Sequence, residues 1–154
     1  MEERRLRIFL DSNVILSGLF SDKGPPRVIL DLLCIGLPML AGLTGRYNLM
    51  EIERNLNKKL PEALPVYHKY FSALDLEIIP LPLPKEIKKL AGVIAEKDIP
   101  VLISAINGKA DFLVTGDKKD FAKLKAKSVY EFKIASPAEF LEEIVPEILK
   151  KIEG

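Results

Sequence analysis

Apolar positions fall into short blocks parted by polar, Gly- or Pro-bearing stretches, and two spacings alternate along the chain. "LRIFLD" (6–11) is a near-continuous apolar run that ends on Asp11, the pattern of a strand covered on both faces. After a Gly-Pro-Pro turn, "PRVILDLLCIG" (26–36) carries Val28, Leu32 and Ile35 at helical spacing, with Gly36 as a stop. "LPMLA" (37–41) reads as a weak strand, and residues 44–60 as a long helix with Thr44 as its N-cap. "EALPVYHKYFSAL" (62–74) reads as a helix and "LEIIPL" (76–81) as a strand that runs into a Pro-rich loop. Residues 84–98 form an amphipathic helical pattern with Pro84 near its start, and 101–108 a further helix. "DFLVTGD" (111–117) is a strand followed by a turn, 118–124 a short helical turn, and 128–134 a last strand. "SPAEFLEEIVPEILKKI" (136–152) closes the chain as a helix capped by Ser136 and opened by Pro137, with Pro146 expected to kink or break it.

Strands alternating with helices imply an open, mostly parallel sheet with helices on both faces. In such sheets ligands sit beyond the carboxyl ends of the strands, where the strand order reverses. Asp11 and Asp117 both lie just past an apolar strand. If those two strands are neighbours, their carboxylates meet in one crevice.

Length and composition narrow the class. The 154 residues suit one domain over 1–154, and 48% hydrophobic with 29% charged residues describes a globular, water-soluble chain. The formal charge of +1 neither requires nor forbids a nucleic-acid partner, so local patches decide. A lone cysteine, Cys34, rules out an internal disulfide framework, fits a reducing cytoplasm, and reads as a buried packing thiol within "VILDLLCIGL". A single histidine, His68, offers no zinc set and reads as a surface residue. The amino terminus lacks a signal-peptide core, and no apolar run is long enough to span a membrane.

Two further acids have suitable settings. Asp98 stands just before the helix containing Val101, Leu102, Ala105 and Ile106, where capping the orphan amides is a competing structural role. In "YNLMEIERNL" both Glu51 and Glu53 border apolar arcs, and helical spacing alone leaves the choice between them open. Four carboxylates gathered in one place repel one another and raise each other's pKa, a cost that a divalent cation relieves. An all-oxygen set of Asp and Glu suits Mg²⁺ or Mn²⁺. Ser12, Asn13 and Thr115 can orient the carboxylates from behind.

Together these segments resemble the PIN-domain family, and most closely its toxin-like (VapC-like) branch. "FLDSNVILSGLFSDKGPPRVILDLL" is similar to that branch's opening Asp-Thr-Asn, with Ser12 here where Thr is usual, followed by a Gly-Pro-Pro turn and helix. "EIERNL" resembles the family's helical acid with apolar residues one and five positions on, a register that selects Glu51 over Glu53. "KDIPVLISAINGKADFLVTGDKKDF" and "IASPAEFLE" resemble its later segments, so the likeness runs from about Arg7 to Glu142. It implies a three-layer α/β/α sandwich with a five-stranded parallel sheet, and a Mg²⁺- or Mn²⁺-dependent endoribonuclease. The family's catalytic and metal-holding acids fall on Asp11, Glu51, Asp98 and Asp117. The resemblance further implies RNA as substrate, an antitoxin protein as partner, and a homodimer. Lys118, Lys119 and Lys123 follow the last acid closely and are candidate phosphate contacts. Competing readings are a nuclease of structured DNA or RNA, a PIN-fold nucleic-acid-binding or regulatory module with little turnover, and a receiver-like domain. The last lacks a mid-chain strand ending in Asp.

Overall fold

The strands of this chain alternate their side chains between two helical layers, and that alternation builds the protein around one sheet. In the computed structural model, which describes residues 4–117, 119, 121 and 130–154, the strands are β1 (Leu6–Leu10), β2 (Leu40–Gly45), β3 (Glu77–Ile79), β4 (Phe112–Val114) and β5 (Lys133–Ala135). Their order is β3-β2-β1-β4-β5, and every pairing is parallel. The helices among the described residues are α1 (Ser12–Phe20), α2 (Pro25–Ile35), α3 (Arg46–Lys59), α4 (Leu64–Leu74), α5 (Pro84–Lys89), α6 (Ile99–Asn107) and α7 (Pro137–Glu153). The expected three-layer α/β/α sandwich is thus the observed one.

Ile8 and Leu10 of β1, with Phe112 and Val114 of β4, face a core completed by α1, α2, α3, α4 and α7. Phe9 and Leu113, one residue out of phase, face a second core with Leu43, Ile79 and the α6 residues Val101, Leu102 and Ala105. A period of two along each strand therefore divides the apolar run between both layers. The chain moves outward from β1 through β2 to β3, then returns to the other side of β1 for β4 and β5. The switch point thus lies between β1 and β4. Their register pairs Leu10 with Val114, and Asp11 N–H donates to Val114 O at 3.0 Å.

Several local expectations are corrected. The hydrophobic pattern gives no separate signal for helix α1, a nine-residue element that begins two residues after the end of β1. It forms because Asp11 caps it and because Val14 and Ile15 are buried against the sheet. Gly18 lets it approach α2, since a Cβ there would stand 2.4 Å from Leu30 Cδ1. Thr44 is not an N-cap; it is fully buried at the end of β2 and donates from Oγ1 to Leu10 O at 2.9 Å. That strand covers 40–45 rather than 37–41, and α3 starts behind Gly45. The helix expected over 84–98 ends at Lys89; Gly92 adopts φ +80°, and a 3-10 turn at Glu96–Asp98 follows. Pro146 sits inside an unbroken α7, where both it and Glu142, whose carbonyl loses its helical donor, are exposed to solvent. Cys34 is exposed rather than buried. The last strand is confined to 133–135, and most of the turn expected at 118–124 lies outside the described residues.

Candidate active site

The carboxyl ends of β1 and β4 deliver the first two acids. Asp11 leaves β1 as the N-cap of α1, and its Oδ1 accepts from Ser12 N–H at 2.8 Å. Thr115 directly follows β4 and donates from Oγ1 to Asp11 Oδ2 at 2.7 Å. The same hydroxyl accepts the N–H of Asp117 at 3.0 Å, so one oxygen ties both acids together. Asn13 holds the turn from the other side. Its Nδ2 donates to Asp117 Oδ2 at 2.9 Å, and its Oδ1 accepts Gly116 N–H at 3.0 Å. Gly116 suits this close passage, since a Cβ there would lie 3.3 Å from Asn13 Oδ1.

Helix α3 supplies the third acid. Glu51 is half-buried, and its Oε1 accepts from Ser12 Oγ at 2.8 Å. Glu53 lines a separate groove with Met50, Arg54, Asn57, Leu64 and His68. The choice that the helical pattern left open therefore goes to Glu51 as the one facing Asp11. Asp98 ends the 3-10 turn that leads into α6 and is only 6% exposed. It stands at the N-cap position of α6 without a side-chain cap hydrogen bond.

Asp11, Glu51, Asp98 and Asp117 line one cleft of about 160 Å³, together with Ser12, Asn13, Leu16, Asn55, Lys97 and Val101. Asp11 is 7% exposed, and burial raises its pKa from the usual 3.8 to about 6. The hydrogen bonds from Thr115 and Ser12 oppose that rise, while the charges of Glu51 and Asp117 add to it. Asp11 accepts hydrogen bonds from a hydroxyl, a backbone amide and the Asn48 amide, all neutral. Among the described residues, no three His, Cys, Asp or Glu side chains are gathered tightly enough to hold a metal ion as they stand. The fold thus brings the four acids to one cleft without making a ready-made chelate. Chemically the donor set fits a hard divalent cation, being oxygen throughout with a surplus of negative charge partly withdrawn from water.

Of the candidate phosphate contacts, Lys119 is exposed, whereas Lys118 and Lys123 lie outside the described residues. Pattern reading missed Asn48, Asn55 and Lys97. The first two lie three residues before and four after Glu51 on α3, helical neighbours that spacing could have revealed. Tyr47 is a further neighbour, its pKa raised by burial first and then by Glu51, Asp98 and Asp11.

Residues 7–119 match the PIN domain family. The fold is similar to that of a chain in the crystal structure of VapBC2 from Rickettsia felis bound to a DNA fragment from their promoter. The TM-score is 0.61 at 20% identity, and the match covers 85% of this chain and 98% of that one. No curated protein matches the sequence. The strand order reverses beside this cleft of acids, so the candidate site lies at the switch point of a three-layer sandwich. The chain belongs to the PIN-domain family, a family of nucleases.

Proposed function

We propose that this protein is a metal-dependent endoribonuclease that hydrolyses RNA phosphodiester bonds, and that it serves as the toxin of a toxin–antitoxin pair. The observation that carries the reading is the convergence of Asp11, Glu51, Asp98 and Asp117 on one cleft at the sheet's switch point. Those four residues would hold Mg²⁺ or Mn²⁺. When bound, such a cation supplies an activated water and offsets charge at the phosphoryl oxygen. The chain's own part is positioning. Thr115 and Ser12 N–H hold Asp11, Asn13 holds Asp117, and Ser12 Oγ holds Glu51. Lys97 in the cleft and Lys119 after Asp117 are cations within reach of a polyanion, and phosphate contacts supply most nucleic-acid affinity. Lys118 and Lys123 are proposed for the same role on the resemblance alone.

The antitoxin partner is supported by the fold's likeness to a chain of a VapBC2 complex, and the homodimer by the family resemblance. Among the described residues, no helix is long and apolar enough to cross a membrane; a cytoplasmic setting is proposed with the toxin role. The test is incubation of labelled single-stranded RNA with the protein and Mn²⁺ or Mg²⁺, against EDTA and against Asp11→Asn. Metal-dependent cleavage that the folded variant lacks is expected, and undiminished cleavage by Asp11→Asn would overturn the reading.

The competing reading is a PIN-fold module that binds nucleic acid with little turnover. The lack of a tight three-acid group among the described residues favours it. Metal binding by calorimetry without cleavage of any RNA would select it.

A further inference from the structure

Asn48 is fully buried in the first turn of α3, directly behind the acid cleft. Its amide Nδ2 carries two hydrogens, and both are engaged. One meets Asp11 Oδ1 at 3.1 Å and the other Ser12 Oγ at 2.9 Å. A serine hydroxyl has a single proton. Because Ser12 Oγ accepts from Asn48, that proton is free to point at Glu51 Oε1, 2.8 Å away. The alternative acceptor, the backbone carbonyl of Asn48, is farther away at 3.4 Å. One amide thus touches the acid that ends β1 and, through a hydroxyl, the acid on α3.

The other end of the amide argues that this placement serves the cleft. Asn48 Oδ1 is buried and has no hydrogen-bond partner. Buried polar atoms are normally satisfied, and exceptions ask for an explanation. Turning the amide over would set its oxygen against the Asp11 carboxylate, so the orientation is dictated by the acid. Gly45 makes room for it, since a Cβ there would come within 2.8 Å of Asn48 Oδ1 and of Ser104 Oγ.

We infer that Asn48 is a positioning residue that sets Asp11 directly, and Glu51 through Ser12, for uptake of a divalent cation. The inference rests on the metal-dependent reading above. It differs from that reading in naming a neutral residue, outside the four acids, on which cation affinity depends.

The test is titration calorimetry with Mn²⁺ on wild-type protein, Asn48→Leu, Ser12→Ala and the double variant, with circular dichroism to verify folding. Leu nearly matches Asn in shape but donates nothing. Asn48→Leu should weaken Mn²⁺ binding about 10- to 100-fold, the usual cost of removing a residue that holds a ligand in place. Asn48→Leu should also cost less in the Ser12→Ala background than in wild type, because part of its effect passes through that hydroxyl. Asn48→Ala serves if the leucine variant does not fold. A folded Asn48 variant with wild-type Mn²⁺ affinity overturns the inference alone. Equal losses in both backgrounds overturn the Ser12 route. Wild-type protein that binds no Mn²⁺ overturns the metal reading and this inference with it.

Discussion

Replacing Asp11 by Asn should destroy the proposed activity and yet make the metal-free protein more stable at neutral pH. In the folded chain, burial raises the Asp11 pKa from 3.8 to about 6. Between those values the folded state keeps a proton that the unfolded state has released. Stability contributed by the protonated carboxyl is therefore complete below about pH 4 and is lost as pH rises through about 6. A shift of that size corresponds to about 3 kcal/mol at full ionisation. Asn avoids this loss. Its Oδ1 can still accept from Ser12 N–H and Asn48, but its amide would face Thr115 Oγ1, which already accepts from Asp117. Rearranging that bond offsets about 1 kcal/mol. The net gain of about 2 kcal/mol corresponds to a Tm about 4–8 °C higher for a chain of this size. Thermal melts in EDTA at pH 4 and pH 8 measure it. At pH 4 the variant should melt slightly below wild type, by the cost of the rearranged bond, and at pH 8 it should melt above it. Excess Mn²⁺ should then reverse the order, adding about 2.7 kcal/mol at one hundred times Kd to wild type alone. A variant less stable at pH 8, or a gap of the same size at both pH values, would refute the reasoning.

Other outcomes follow from the same geometry. Glu51→Gln should abolish metal-dependent cleavage while Glu53→Gln leaves it near wild type, because only Glu51 lines the acid cleft; parallel RNA assays check this. Gly45→Ala should cost about 1–3 kcal/mol in urea melts, since the new methyl meets Asn48 and Ser104 at 2.8 Å. Ser136→Ala should cost about 0.5–2 kcal/mol by losing the capping box with Glu139, without changing cleavage. Phe140→Ala should cost about 3–5 kcal/mol, as its ring is 1% exposed and packs edge-on against Phe112.

Much of the fold was legible because local signals and tertiary roles agree. The short apolar runs at 6–10 and 112–114 fit strands covered on both faces, as observed, and both end on the turns that carry Asp11 and Asp117. Ser136 and Pro137 announce α7 through chemistry that acts within one helical turn. Legibility fails where the environment overrides the local signal. Thr44 has the side chain of an N-cap, yet it satisfies its hydroxyl on the neighbouring strand, at Leu10 O. Residues 90–98 carry helical periodicity, yet the chain turns away at Leu90 and Gly92. Helix α1 was hidden because only Asp11, Ser12 and Asn13 part its short apolar segment from the run of β1.

The sequence alone determined the alternation of strands and helices, the acids at two strand ends, and the family resemblance, since each depends on residue type and on spacing within a short segment. Helical spacing left Glu51 and Glu53 open and only the family resemblance favoured Glu51; the tertiary structure sets Glu51 against Ser12 beside Asp11 and brings Asp98 to the same cleft. It alone brought out Asn48 as the neutral link behind them. The physical reason is that hydrogen bonds and burial join residues far apart in the chain. Asp11 and Thr115 are 104 positions apart and 2.7 Å from each other, and no local pattern encodes that distance.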